Sequence, residues 1–102
     1  MNKIQVLFTY MIDEFEINIR FKDLRNHLGL TVDDFSLKTG IKSGQISNIE
    51  NKRQKVYGWQ IQAISKIWQE YAYWLATGQT IPEAGQISPE LEEARKKLGQ
   101  VG

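Results

Sequence analysis

Apolar residues recur every three or four positions along most of this chain, the spacing of one buried face of an α-helix. The clearest stretch runs from Trp59 to Leu75, and a break near Trp68–Gln69 is predicted to divide it into two short helices. Three earlier helices are predicted from their start and stop residues. Their expected N-caps are Asn18, Thr31 and Ser43, and their expected ends are Gly29, Gly40 and the polar loop 51–58.

The two ends of the chain are predicted to lie outside this helical centre. Residues 1–17 have helical apolar spacing as far as Phe15, but alternation through Ile17, Ile19 and Phe21 leaves a hairpin open. This segment is a possible dimer arm. A linker follows residue 78, and Ser88-Pro89 is predicted to start a last helix that ends at Gly99. The expected units are 1–17, 18–78 and 79–102, the last of them linker and helix.

Charge is distributed unevenly, although the whole chain sums to only +1. Residues 20–66 hold nine Lys or Arg against four acids, a local charge of +5, whereas the segments before and after each sum to −2. A basic centre attracts a polyanion through its local field, so this pattern favours a surface that faces nucleic-acid phosphates. An ordinary solvated surface is the alternative interpretation.

Composition argues against several classes of protein. The chain has no cysteine, a single histidine (His27) without an acid–base partner nearby in sequence, no glycine-rich phosphate loop and no cluster of metal ligands. We therefore predict no enzyme activity, no metal, no cofactor and no small-molecule substrate. Asp33 and Asp34 are expected to be helix-start charges. Without a membrane-length apolar run or a signal-peptide pattern, the expected location is cytoplasmic, with no membrane partner.

Residues 32–51 have the pattern of two helices that meet at a steep angle through a tight turn. Ser36 is small enough for close crossing, and Gly40 suits the positive φ of the turn. Ile41 is expected to fill the space beneath the turn. Phe35, Leu37, Ile46 and Ile49 are the positions expected on or near the buried side.

This stretch resembles the lambda-repressor/Cro-like (XRE) helix-turn-helix family, with phage-type members in particular. The similarity spans about residues 20–78 and is carried by these phrases: Leu24-Arg25, Leu28-Gly29-Leu30-Thr31, Asp34-Phe35-Ser36, Thr39-Gly40-Ile41, Ile46-Ser47-Asn48-Ile49-Glu50-Asn51, the helix 59–67, and the closing stretch from Tyr71 to Gly78. The resemblance implies an all-α, lambda-repressor-like DNA-binding domain of five to six short helices, with the helix-turn-helix at 32–51.

The resemblance also implies that helix 43–50 enters the major groove of DNA. Base edges would then be met by Ser43, Gly44, Gln45 and Asn48, of which the carboxamides suit adenine. Phosphates would be held by Thr39, Lys42, Ser47, Asn51, Lys52, Arg53 and Lys55. The sequence departs from the family at Val32, where glutamine commonly helps to hold a phosphate, and at Gly44, which offers no side chain.

The function that follows is a sequence-specific transcriptional regulator, repressor-like, acting on double-stranded DNA as a homodimer. A protein-interaction module, such as an antitoxin or a polymerase adaptor, is the alternative. Glu50 is expected to support the structure rather than read cytosine. Dimer contacts are expected from the N-terminal segment, the aromatic stretch 68–75 or the tail helix, and the aromatic residues expected in the core or at that surface are Trp59, Trp68, Tyr71, Tyr73 and Trp74.

Overall fold

The described part of the chain, residues 13–101 of a computed structural model, is helical, which confirms the all-α prediction. Its short β-contact is a single bridge between Ile81 and Gln86 within the linker. Over these residues no helix is both long enough and apolar enough to cross a membrane. The helices are α1 (Glu16–His27), α2 (Val32–Thr39), α3 (Ser43–Glu50), α4 (Gly58–Ile67), a 3₁₀ turn (Gln69–Tyr71), α5 (Ala72–Thr77), a second 3₁₀ turn (Pro82–Ala84) and α6 (Pro89–Val101).

Several helix ends lie where local sequence places them. The Thr31 hydroxyl accepts a hydrogen bond from the Asp34 amide at 3.1 Å, which confirms Thr31 as the N-cap of α2. Gly40 ends α2 with φ of 78°, as a residue without Cβ can. The predicted break at Trp68 is present, and the tail helix begins at Pro89.

The structure corrects four local predictions, three on helix ends and one on a helix face, and it excludes the hairpin alternative for residues 17–21. Asn18 does not cap a helix, because α1 begins two residues earlier and Asn18 is buried within it. The same helix contains residues 17–21, so they form no hairpin, and residues 1–12 lie outside the described part. Lys42, not Ser43, is the N-cap residue of α3. Leu37 is 85% exposed, and α6 continues through Gly99 to Val101.

The core lies between α1 and the helices that pack around it, α3 and α5, with α2 and α4 closing one side. The Phe35 ring stacks on Trp68 with centroids 5.5 Å apart and meets Phe21 edge-on at 5.4 Å. This arrangement confirms the core assignment of Trp68, Tyr71 and Trp74, whereas Trp59 is 49% exposed. The buried apolar residues are Phe21, Leu24, Phe35, Ile41, Ile46, Ile49, Ile64, Tyr71, Trp74 and Leu75.

Arg20 ties α1 to the end of α5. Its Nε donates to the Leu75 carbonyl at 3.0 Å, and its Nη2 lies 3.5 Å from the Ala76 carbonyl. Both are carbonyls that the last turn of a helix leaves without intrahelical partners. Gly78 then turns the chain away with φ of 79°, and a Cβ at that position would lie 3.2 Å from Arg20 Nη1.

Replacing Gly78 with alanine is therefore expected to lower the free energy of unfolding by roughly 1 to 2 kcal/mol, the cost of a left-handed residue with a Cβ. Chemical denaturation followed by circular dichroism measures it. Gly40→Ala is the matched control, because Gly40 has φ of 78° but a Cβ added there would meet no atom within 4 Å. A smaller decrease for Gly40→Ala would isolate the Arg20 contact, and equal decreases would show that contact to be immaterial.

His27 has partners that sequence spacing could not reveal, because they lie 44 and 65 positions away in the chain. Its ring Nε2 lies 3.2 Å from both Tyr71 Oη and Glu92 Oε1, and the side chain is 10% exposed. Tyr71 donates to Glu92 at 2.5 Å, and this hydrogen bond lowers the pKa of Glu92. Burial, then the same hydrogen bond, raises the pKa of Tyr71. These polar contacts fasten α6 to the body of the domain.

Candidate nucleic-acid interface

The turn between α2 and α3 is fixed by its own side chains. Thr39 Oγ1 donates to the Phe35 carbonyl at 2.7 Å and accepts from the Ile41 amide at 3.2 Å. Ile41 is fully buried beneath the turn, as predicted from the sequence. Because its only proton is directed at Phe35, the Thr39 hydroxyl is a weaker candidate for a phosphate contact than the sequence suggests.

Helix α3 has one buried face and one open face. Ile46 and Ile49 are fully buried, which confirms the inward positions. At about 100° per residue, Gly44 and Asn51 lie opposite them, on the face that points away from the core. Ser47 and Asn48 lie on the two flanks of that face, and Ser47 is exposed whereas Asn48 is half-buried. Gln45 is also half-buried and lies nearer the buried face. Of the two carboxamides expected to read bases, Asn48 thus lies farther from the buried face than Gln45 does.

Ser43, the first residue of α3, lies beside Asp33 of α2. Its hydroxyl donates to Asp33 Oδ1 at 2.9 Å, so Asp33 links the N-terminal turns of α2 and α3. The favourable interaction of a carboxylate with two helix N-termini explains why an acid is tolerated here. The contact also brings a negative group, which sequence reasoning assigned only to helix capping, next to the residues expected to meet base edges.

The C-terminal end of α3 is closed by a Schellman motif built around a lysine. The Arg53 amide donates to the Asn48 carbonyl at 2.8 Å, and the Lys52 amide donates to the Ile49 carbonyl at 3.1 Å. Lys52 has φ of 58° and, among the described residues, is the non-glycine residue with positive φ. Glycine or asparagine usually takes this position, because a lysine there costs roughly 1 kcal/mol or more of strain. Strain of this kind points to a side chain that is used.

The loop after α3 exposes a run of basic residues. Lys52, Arg53 and Lys55 are all exposed, as is Lys42 at the other end of α3. Lys55 Nζ lies 3.1 Å from Glu14 Oε2 in an exposed ion pair, so part of its charge is already balanced. Lys52 and Arg53 are the loop cations that form no ion pair with any described residue.

An ion pair beneath the open face holds α3 against α1. Arg25 donates through Nε and Nη2 to the two carboxylate oxygens of Glu50, at 2.7 Å each, and through Nη1 to the Leu30 carbonyl. The two side chains are 14% and 7% exposed. Hydrogen bonding to Glu50 raises the pKa of Arg25. Glu50 therefore has the structural role expected for it, while its partner could not be named from the sequence.

Asn18 is the supporting residue that sequence reasoning misjudged. Its Nδ2 donates to the Ile49 carbonyl at 2.9 Å and to the Gln54 carbonyl at 2.8 Å, so one side chain fixes both the end of α3 and the basic loop. A polar residue in a helical run whose neighbours are apolar was the only available sign. A buried amide must find hydrogen-bond partners, but their identity depends on the fold.

Comparison with known proteins agrees with this geometry. A family model described as a helix-turn-helix domain matches residues 18–79. The solved structure of Pf6r, from the filamentous phage Pf6 of Pseudomonas aeruginosa PA01, superposes with a TM-score of 0.68 at 26% sequence identity. That match covers 81% of this chain and 96% of the Pf6r chain. Among curated proteins, none matches. The two findings confirm the resemblance to phage-type helix-turn-helix proteins that the sequence phrases carry.

Proposed function

Since this chain belongs to the helix-turn-helix domain family, which makes it a DNA-binding regulator in its general class, we propose that it is a sequence-specific, repressor-like regulator. Helix α3 lies in the major groove of a two-fold-symmetric operator, and two copies of the chain occupy the two half-sites. One such domain buries limited surface on DNA, so pairing supplies the specificity that a single copy lacks.

One observation carries the proposal: the polar open face of α3 and the strained basic loop lie at consecutive positions of one surface. Asn48 lies on that face, and its backbone carbonyl accepts a hydrogen bond from the Arg53 amide, which helps to fix the loop. In this arrangement a carboxamide contacts bases in the groove, while cations on either side bind phosphates. The first contact reads sequence, and the second fixes the position of the protein on the DNA. The +5 charge of residues 20–66 supports the same orientation.

The proposed roles of individual residues follow from their positions. Asn48 and Gln45 read bases, and Ser43 and Gly44 lie where α3 approaches the base edges most closely. Because Gly44 has no side chain, its backbone can approach the DNA closely, but it adds no side-chain hydrogen bond. Phosphates are held by exposed groups around α3, with Lys52 and Arg53 contributing most and Lys55 less because of Glu14. The remaining proposed phosphate contacts are Thr39, Lys42, Ser47 and Asn51.

Asn48→Ala is expected to relax specificity at one base position in each half-site and to weaken binding there by roughly 1 to 3 kcal/mol. Affinities for the selected operator and for single-base variants, measured by fluorescence anisotropy at fixed salt, provide the test. Gln45→Ala is expected to have a smaller effect, since Gln45 lies nearer the buried face of α3. Ser65→Ala, on α4, is the control. Unchanged base preference in Asn48→Ala would contradict the placement of α3.

Selection of bound fragments from random DNA tests the function as a whole. The expected result is one enriched inverted repeat, bound with a steep dependence on salt. No enrichment, together with weak binding that ignores sequence, would contradict the proposal and favour the alternative of a protein-interaction module. The same selection repeated with Asn48→Ala connects any enriched base to a side chain.

A further inference from the structure

Helix α6 docks on the domain by its polar side. Glu92 accepts from Tyr71 Oη at 2.5 Å and lies 3.2 Å from His27 Nε2. Glu93 Oε1 lies 3.5 Å from the other ring nitrogen, Nδ1, of His27. These two adjacent carboxylates therefore define the face of α6 that meets the domain.

The opposite side of α6 is apolar and faces away. At about 100° per residue, Leu91, Ala94 and Leu98 share one face, centred roughly 180° from the pair Glu92 and Glu93. Leu91 is half-buried, every side chain from residue 93 to residue 98 is exposed, and Leu98 is 74% exposed. An amphipathic helix ordinarily turns its apolar face to the core. This reversed arrangement leaves an apolar stripe, Leu91–Ala94–Leu98, that the described residues cover only in part.

We propose that this stripe is the dimer surface, and that it pairs with α6 of a second copy, antiparallel, about a two-fold axis beside Ala94. The pairing rests on the proposed function only in that a symmetric operator calls for a symmetric pair. The proposal assigns the dimer contact to the tail helix, which is one of the three dimer surfaces expected from the sequence. The aromatic stretch is unsuitable, because Tyr71 and Trp74 are buried and Trp68 stacks on Phe35.

The charge pattern of α6, which is acidic at Glu90 and basic at Lys97, favours a second copy of the same helix as the partner of the stripe. In the antiparallel register centred beside Ala94, Leu91 of each copy lies level with Leu98 of the other. Glu90 and Lys97 lie on the same flank of the stripe, so two pairs of opposite charges form across the axis. On the other flank the two Arg95 side chains lie level, which gives one pair of like charges against those two. Ala94 allows the two helices to approach closely where they cross. In a parallel pair the two flanks that carry Glu90 and Lys97 would lie on opposite sides of the interface, so these charges would not meet.

The size of the stripe sets the strength of the pair. Stable protein interfaces bury about 800 Å² on each partner, more than three side chains from each helix provide. The free protein is therefore expected to associate weakly, with a dissociation constant of roughly micromolar order or above. Binding to adjacent half-sites would then be cooperative, since DNA brings the two helices together.

The first experiment uses Ala94→Glu in the full chain, with association measured by sedimentation equilibrium without DNA. Two long charged side chains would replace the small residue where the helices approach most closely within the apolar stripe, and the dissociation constant of the dimer is expected to rise at least roughly tenfold. Gln62→Glu, at an exposed position of α4, is the matched control and should leave association unchanged. Circular dichroism establishes that both variants keep their helices.

The second experiment tests the register by charge reversal. Glu90→Lys alone and Lys97→Glu alone each create two like-charge contacts, and each is expected to weaken the dimer by roughly three- to tenfold. Mixing the two variants restores both opposite pairs, so a heterodimer should form with wild-type affinity. The double variant should also self-associate as the wild type does. A mixture no tighter than either variant alone would overturn the antiparallel register.

Two further outcomes would overturn the proposal. One is a dimer that survives Ala94→Glu but disappears on deleting residues 1–12, which would assign pairing to the N-terminal segment. The other is a wild-type protein that stays monomeric at millimolar concentration. DNA binding is scored separately on a single half-site, where one copy suffices. If Ala94→Glu still binds the half-site, loss of the dimer surface leaves the DNA-binding proposal intact. If the wild type does not bind the half-site, the DNA-binding proposal is contradicted and the dimer proposal is not.

Discussion

Replacing Glu50 with alanine is expected to lower the free energy of unfolding by roughly 3 kcal/mol, because it leaves the Arg25 guanidinium largely buried without its carboxylate. The two groups share two hydrogen bonds of 2.7 Å, and Arg25 retains only the Leu30 carbonyl once Glu50 is shortened. Urea denaturation followed by circular dichroism measures the decrease. DNA affinity at a temperature where the variant is folded is expected to fall as well, since Glu50 is the last residue of α3.

Three companion variants separate charge from packing. Glu50→Gln keeps a hydrogen-bond acceptor and is expected to destabilise the fold less than Glu50→Ala. The double change Arg25→Met with Glu50→Leu removes both charges and is expected to recover much of the stability. Glu14→Ala breaks the exposed pair with Lys55 and should change stability by less than about 0.5 kcal/mol. Equal destabilisation by Glu14→Ala and Glu50→Ala would contradict the assignment of Arg25–Glu50 as a supporting contact.

Replacing Lys52 with glycine is expected to change stability and DNA binding in opposite directions. Stability should rise by roughly 0.5 to 1 kcal/mol, because glycine adopts the φ of 58° without strain. Operator affinity should fall roughly tenfold or more, since the variant dimer makes one phosphate contact fewer in each half-site. The slope of log affinity against log salt should decrease by about 0.9 for each phosphate that is no longer neutralised. Thermal unfolding and salt titrations of DNA binding measure the two effects.

Arg53→Gln is the matched variant for this prediction. Arg53 adds charge to the same loop but is not one of the residues with positive φ, so its replacement should weaken DNA binding without raising stability. Lys66→Gln, in the last turn of α4, removes an equal charge elsewhere and should have little effect on either quantity. If Lys52→Gly and Lys66→Gln lowered the salt slope equally, nonspecific charge rather than the loop would explain binding.

The helix-turn-helix was predictable because its determinants are local. Thr31 caps α2 through an amide three residues away, and Gly40 supplies a positive φ between the two helices. The spacing of Ile46 and Ile49 defines the inward face of α3 from helical periodicity alone. Leu37 shows the limit of the same rule, because an apolar residue near the inward side is exposed where no neighbouring helix covers it.

Supporting residues were not predictable, because their partners are distant in the chain. Asn18 has the preference of an N-cap, yet its amide is buried against carbonyls 31 and 36 positions away. The side chains of Arg25 and His27 meet acids 25 and 65 positions away. Sequence spacing cannot identify such pairs, since a buried polar group requires a partner but does not specify which.

Sequence by itself determined the helix-turn-helix scaffold, its basic centre and the polar composition of α3, because caps, turns and periodicity act within a few residues. Tertiary structure alone decided that a strained lysine closes α3. It also decided that α6 docks by Glu92 and Glu93, because only packing of the whole chain brings α6 to His27 and Tyr71.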